Sequence, residues 1–392
     1  MNQFNATNKD APRLDQLNAK RICLIKPSAL GDIVQTLPLL PMLRERFPDA
    51  RLSWVVNRQF APILEGHPNL DEIIPFDRRA MWALPGAWLQ FGKLLAGLRQ
   101  QQFDLVLDLQ GLMRTAIMTR ATGAPVRLAM ETHREGAALA CHQVIPETGW
   151  RVPAYQRYWH VARALGAQTN EPHSHVAVGE TDRQWAANEL ADLPGPIVAI
   201  HPGGRWPTKI WPVEHFARVA AHAVRQYGAS LVPVGAPNEQ HLAERLGELI
   251  KQAEPKARIH PLTGRSNLKQ LAATLAASDL LLTNDSGPMH LAAAVNTLVV
   301  APFLCTSPAL SGPPESHHQL VATGVGCGGS YHKKCPYRGE AHFACMRELS
   351  PDRVMAGLDR AMQQQNLTSP PDDRPTPPVS AGGRPESLRI QR

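Results

Sequence analysis

The sequence predicts an α/β protein of two domains, each a parallel sheet built from βαβ units and facing a central cleft. Three observations carry that prediction. Short leucine-rich or β-branched runs alternate with helical patterns along most of the chain. That rhythm breaks between residues 171 and 196, where polar residues and LPGP intervene. The length of 392 residues, 43% of them hydrophobic, suffices for two cores.

The first group of strand-like runs is ICLIK at 22–26, LSWVV at 52–56, EIIPF at 72–76 and DLVLDL at 104–109. The second is IVAIH at 197–201, SLVPVG at 230–235, DLLLTND at 279–285 and TLVVAPF at 297–303. One helix is plain over 212–227, where Phe216, Val219, Ala220, Ala223, Val224 and Tyr227 share a face and Gly228 follows as a C-terminal cap. The organisation expected is a disordered polar tail at 1–19, a first Rossmann-like domain at 20–180, a second at 181–367, and a disordered tail at 368–392. The last segment, with SPPDDRPTPP and GGRPES, has too much Pro and Gly for a packed fold.

Composition excludes several classes. Six cysteines are too few for a disulfide scaffold. The apolar stretch 291–305 carries Asn296 and Thr297 and is too short to span a bilayer, and residues 1–20 lack the apolar run of a secretory signal. A cytoplasmic protein with reduced thiols is expected. Residues 20–180 carry 18 Lys/Arg against 14 Asp/Glu, and 15 of those cations are Arg, the side chain suited to forking onto carboxylates and phosphates. No dense basic run occurs, so an anionic small molecule or membrane surface is a better partner than nucleic acid. The P-loop and the H-E-x-x-H zinc helix are absent, and no G-x-G-x-x-G fingerprint directly follows one of these strand-like runs. Cys327, Cys335 and Cys345, near His332 and His342, match no compact zinc spacing, so thiols rather than a metal centre are expected.

Ligands of open α/β sheets bind at the carboxyl ends of strands, which directs attention to the loops there. After the first run comes Lys26-Pro27-Ser28-Ala29-Leu30-Gly31-Asp32, in which Gly31 permits a tight turn and Asp32 starts a helix that Pro38 should kink. Asp32 fits two jobs there, a helix cap or a general base facing the cleft. The loop 201–209 offers the amides of Gly203 and Gly204 and the side chains of Arg205, Thr208 and Lys209 to an anion, unless it is an ordinary solvated loop. The segment 284–290 sets Asp285, Ser286 and Gly287 at a helix start, which suits a diphosphate, with Pro288 where no N–H is needed. His290 faces either the ligand or the packing, and Glu239 either accepts from a ribose diol or merely complements a helix dipole.

In order, these loops resemble glycosyltransferase family 9, the bacterial lipopolysaccharide heptosyltransferases. The resemblance runs over roughly 21–362 and rests on KPSALGDIVQTLPLLPMLRERFPDARLSWVV, LDLQGLMRTA with the later HREGA, HPGGRWPTKIWPVEHFA and TNDSGPMHLAAA; CPYRGEAHFACMRELSP also looks like the family's C-terminal region. It implies a GT-B fold, acceptor on the first domain and nucleotide sugar on the second. By residue, it implies that Asp32 is the catalytic base and Lys209 the phosphate-binding lysine. Gly203, Gly204, Arg205, Thr208, Glu239, Asp285, Ser286, Gly287 and His290 would hold the donor. Lys26, Ser28, Arg78, Arg79, Gln110, Arg114 and Arg134 would form a cationic rim for the acceptor.

The activity implied is inverting, metal-independent transfer of heptose from ADP-heptose to the lipopolysaccharide inner core. No cofactor is implied, and the protein would be a monomer touching the cytoplasmic face of the inner membrane. The chain departs from the heptosyltransferase pattern where a threonine-rich phosphate loop becomes Gly203-Gly204-Arg205, a form shared by a wider family. The competing readings are a transferase for another nucleotide sugar and a non-catalytic nucleotide-sugar binder. Intact Asp32 and Lys209 argue against the second.

Overall fold

The structure is a computed structural model that describes residues 13–77, 87–169 and 174–365. The first sheet contains β1 (Arg21–Ile25), β2 (Arg51–Asn57), β3 (Glu72–Phe76), β4 (Leu105–Asp108), β5 (Val126–Met130) and β6 (Gln143–Ile145). Its strands are all parallel, in the order β3-β2-β1-β4-β5-β6. The second sheet contains β7 (Ile197–His201), β8 (Ser230–Pro233), β9 (Leu280–Thr283), β10 (Leu298–Phe303) and β11 (Gln319–Ala322), parallel in the order β11-β10-β9-β7-β8. The two parallel sheets expected from the sequence are therefore present. All eight runs became strands: β3 and β7 match their runs, β2 is a residue longer at each end, β1 is shifted by one, and the other four are shortened by one to three residues. The strands β5, β6 and β11 were not foreseen: β6 has three residues, and Arg127 and Gln319 interrupt the apolar character of the other two.

The helices of the first half are α1 (Leu30–Thr36), α2 (Leu39–Arg46), α3 (Ala61–Leu64), α4 (Ala87–Gln100), α5 (Met113–Thr122) and α6 (Ala154–Ala164). Those of the second are α7 (Glu180–Leu190), α8 (Val213–Tyr227), α9 (Gln240–Ala253), α10 (Leu268–Ala276), α11 (Gly287–Ala294), α12 (Pro308–Ser311), α13 (Ala344–Glu348) and α14 (Pro351–Gln364). The anticipated helix is α8, and Gly228 closes it at φ 63° with its N–H donating to Val224 O. Around Pro38 the chain does more than kink. α1 ends at Thr36, and Pro38 caps a separate helix, because its missing N–H leaves no bond to carry α1 onward.

Two further expectations need correction or restriction. Residues 13–19 belong to the fold, not to a disordered tail: Leu14 and Ala19 are buried, and the Arg46 guanidinium donates to Asp15 O, Leu17 O and Leu165 O. The segments 1–12 and 366–392, which include the expected C-terminal tail, lie outside the described residues, as do Arg78 and Arg79.

Each sheet has a point where the winding reverses, between β1 and β4 in the first and between β7 and β9 in the second. Such switch points open a crevice at the carboxyl ends of the strands. The halves meet where α1 packs on α11 and α3 on α10, and Lys269 Nζ donates to Glu65 O at 2.6 Å across that second contact.

Candidate active site

On the first sheet, Asp32 is the third residue of α1 and half-buried. Its Oδ2 accepts the Ala29 N–H at 2.9 Å, so it does cap the helix, with one oxygen. Lys26 is not part of a rim. It is buried at the end of β1, its Nζ donates to Leu109 O at 3.0 Å, and it lies over the Tyr158 ring. Burial pulls its ammonium down, but Asp32, Tyr158 and Asp108 outweigh that and hold it above the usual lysine range. Lys26 is thus a fixed positive charge beneath Asp32.

The post-β4 loop is organised from below. The buried Asp108 carboxylate accepts from Gln110 N, Gly111 N and Thr115 Oγ1 at 3.1, 2.9 and 3.0 Å. Burial pushes Asp108 up to about 6 against those bonds and against Lys26. Gln110 Oε1 in turn accepts Ser28 N–H at 3.3 Å, joining the loops on either side of the switch point. Arg134 N donates to Gly111 O at 2.7 Å, and its guanidinium stacks on Trp150 at 5.2 Å. Arg114 stands in the first turn of α5, half-buried.

On the second sheet, Lys209 Nζ pairs with the buried Asp285 at 2.7 Å and lies over the Trp206 ring. Asn284 clasps two loops. Its Nδ2 donates to Pro202 O and Gly203 O, and its Oδ1 accepts Trp211 N–H. Glu239 Oε2 accepts Ala236 N–H at 2.8 Å and lies 3.2 Å from His201 Nε2. Burial pushes the Glu239 carboxyl up, but His201 and that amide outweigh it and keep it below the usual range. His201 Nδ1 lies 3.1 Å from Ser286 Oγ. A Cβ on Gly203 would overlap the Glu239 carboxylate, so a side chain there would displace that carboxylate from His201.

Three of the side chains expected on the donor side have other partners or surroundings. The Thr208 hydroxyl is buried and donates to His332 O at 2.7 Å. Arg205 lines a cavity of about 540 Å3 together with residues of the first half, Ser28, Asn57, Arg58 and Asp77 among them, so it faces the first sheet. His290 is buried under α1, with Gln35 Nε2 3.4 Å from its Nε2, and burial holds its imidazole below the usual range.

Sequence reasoning missed His201, Arg157 and Arg58. His201 stood in a quoted motif, and its position at the end of β7 was the available signal. Arg157 has no motif around it. In the fold it comes from α6 to the cleft, where burial lowers its pKa against Tyr158, Tyr331 and Asp32. The thiols of Cys327, Cys335 and Cys345 are free, and among the described residues no group of three or more His, Cys, Asp or Glu is arranged to hold a metal ion.

Two parallel α/β sheets whose switch points open on one another, a carboxylate-bearing helix on one side and amide-rich turns with a lysine on the other, make a two-domain fold of the GT-B class. Comparison with known proteins narrows this. The model of "Glycosyltransferase family 9 (heptosyltransferase)" matches residues 91–340. Lipopolysaccharide heptosyltransferase 1 of Pseudomonas aeruginosa is 28% identical over 360 residues, covering 86% of this chain and 97% of that protein. Among solved structures, a family 9 glycosyltransferase from Veillonella parvula superposes with a TM-score of 0.74 at 23% identity, covering 88% of this chain and 98% of its own. The E. coli heptosyltransferase WaaC with ADP superposes at 0.67 and 23% identity, covering 87% and 99%. The chain belongs to glycosyltransferase family 9 and is a glycosyltransferase.

Proposed function

We propose that the protein transfers heptose from ADP-heptose to the lipopolysaccharide inner core, with inversion and without a metal ion. The observation that carries this reading is the contact of α1 with α11, which sets the Asp32 helix against the helix start at Ser286 and Gly287. The ADP in the E. coli structure and the name of the Pseudomonas relative support the choice of donor and acceptor.

In this reading residues 20–180 receive the acceptor and 181–367 the donor. The acceptor hydroxyl gives its proton to Asp32 as its oxygen bonds to the anomeric carbon, and the bond from that carbon to the phosphate oxygen breaks on the opposite side. Charge accumulating on departing ADP is met by Lys209 and the amides at the start of α11. Glu239, held by His201, accepts from the ribose. Arg134, Arg157 and Arg114 meet the carboxylates and phosphates of the acceptor. The protein would work as a monomer at the cytoplasmic face of the inner membrane.

Transfer from another nucleotide sugar to another glycan acceptor is the second reading, and Gly203-Gly204 in place of threonines favours it. One assay separates the two: ADP release with ADP-heptose and a Kdo-lipid A acceptor, compared with UDP- and GDP-sugars, with and without EDTA. Turnover with ADP-heptose alone, unaffected by EDTA, is expected. Turnover only with another donor, or silence restored by Mg2+, overturns the corresponding part.

A further inference from the structure

Two lysines share one indole. Lys209 Nζ lies 4.8 Å from the centroid of the Trp206 ring, and Lys333 Nζ lies 5.3 Å from it. Trp206 and Lys209 belong to the turn after β7, whereas Lys333 comes from the long segment between β11 and α13.

A single hydrogen bond explains how they meet. Thr208 Oγ1 donates to His332 O at 2.7 Å, and each lysine is the residue that follows one of these two partners. The later segment is fixed by its other neighbours as well. Tyr331 N donates to Cys305 O at 2.7 Å, and the Tyr331 hydroxyl lies 2.7 Å from Oγ of Ser311, the last residue of α12. Cys305 closes the circuit, its Sγ donating to the Thr208 hydroxyl at 3.4 Å. Lys333 is exposed, but the backbone just before it is tied to the turn that carries Lys209.

The charges around that turn give Lys333 a task. Lys209 is paired with the buried Asp285 at 2.7 Å, so the pair has no net charge. Burial disfavours the charged form of His290, and Arg205 faces the cavity shared with the first half. A nucleoside diphosphate is multiply charged, while the amides of a helix start supply only about half an elementary charge. Lys333 adds a cation that Asp285 does not neutralise. Its place also has a direction. Glu239, read as the ribose partner, crowds Gly203 near the start of the loop, and the chain runs from there through Trp206 to Lys209. The indole and its two ammonium groups thus stand beyond the ribose end, on the side of the outer phosphate.

We propose that Lys333 is a second phosphate-binding residue, placed on Trp206 beside Lys209 to meet the outer phosphate of a bound nucleoside diphosphate. The indole is the platform for both cations. The inference rests on the reading that the loops 201–209 and 284–290 hold the nucleotide of the donor.

The test is calorimetric titration of the full chain with ADP, UDP and GDP, then with the monophosphate of whichever nucleotide wild type binds most tightly. Lys333→Ala should bind that diphosphate about fivefold more weakly at low salt, with the difference shrinking as salt is raised. It should bind the monophosphate as wild type does. Lys333→Arg should restore most of the affinity, and Lys334→Ala, which removes the same charge one residue away, should change neither ligand. Melting temperatures should be unaltered, since both lysines are exposed. Unchanged diphosphate binding by Lys333→Ala, an equal loss for the monophosphate, or an equal loss in Lys334→Ala would overturn the proposal. Wild type that binds none of the three diphosphates would overturn the donor reading and this proposal with it, so wild type alone tells the two failures apart.

Discussion

A Cβ on Gly31 would lie 2.6 Å from Cδ2 of His290, so the helix bearing Asp32 and the helix that opens the donor side touch with no room for a side chain. On the reverse side, a Cβ on Gly287 would meet Leu30 at 3.0 Å. The separation between the Asp32 helix and the turn at Ser286 and Gly287 is thus set by a glycine-tight contact between the two halves.

Gly31→Ala should force α1 and α11 apart. Overpacking of this kind costs about 1–3 kcal/mol, and catalysis should fall further because sub-ångström placement of the base matters. Gly31→Ala/His290→Ala should recover stability relative to Gly31→Ala. A denaturant double-mutant cycle checks the coupling, and strict additivity would sever it.

Asp32→Asn separates the two jobs of this residue. The amide oxygen still accepts the Ala29 N–H, so stability should hold, while kcat should fall by roughly 10²–10⁴-fold with ADP affinity unchanged. Calorimetric ADP titration beside steady-state kinetics reads both quantities. A large loss of stability with modest loss of kcat would make Asp32 a cap only.

Lys209→Ala should weaken ADP binding by about tenfold to a hundredfold, the range of a charge-assisted hydrogen bond. It also leaves Asp285 buried without its cation, so some stability should be lost as well. Asp285→Asn/Lys209→Ala should regain that stability without regaining ADP affinity, which thermal melts with and without ADP will show.

The Asp108 carboxyl gives a pH signature. Its folded pKa is raised from 3.8 to about 6, so the folded state favours the protonated form. The benefit is present below about 4 and is lost as pH rises through 6. A displacement of this size corresponds to roughly 3 kcal/mol. Asp108→Asn should therefore flatten the stability difference between pH 4.5 and pH 7.5. Urea unfolding at the two pH values checks it, and a variant that keeps the wild-type difference would assign it elsewhere.

The central strands were legible because burial on both faces makes them continuous apolar runs, as in IVAIH and DLLLT. The edge strand β6 was not, since three residues carry too little pattern. Among the candidate site residues, Glu239, Asp285 and Lys209 lie in the loops that follow β8, β9 and β7, where the fold class directs attention, and their roles were suggested by the family resemblance. The burial of Lys26 and Thr208 could not be read in this way: it depends on Leu109 and His332, which lie 83 and 124 positions away. Arg157 escaped for the same reason, since nothing near it in sequence announces Asp32 or Tyr331.

Asn284 ties Pro202, Gly203 and Trp211 together through one side-chain amide. Two loops that are more than seventy residues apart in sequence consequently share a single degree of freedom. On the proposed function, a nucleotide bound there meets loops already tied together, and its association should carry a small ordering entropy. Removing that amide would convert the pocket from a mould into something that must be shaped anew at each turnover, with affinity falling most steeply as temperature rises.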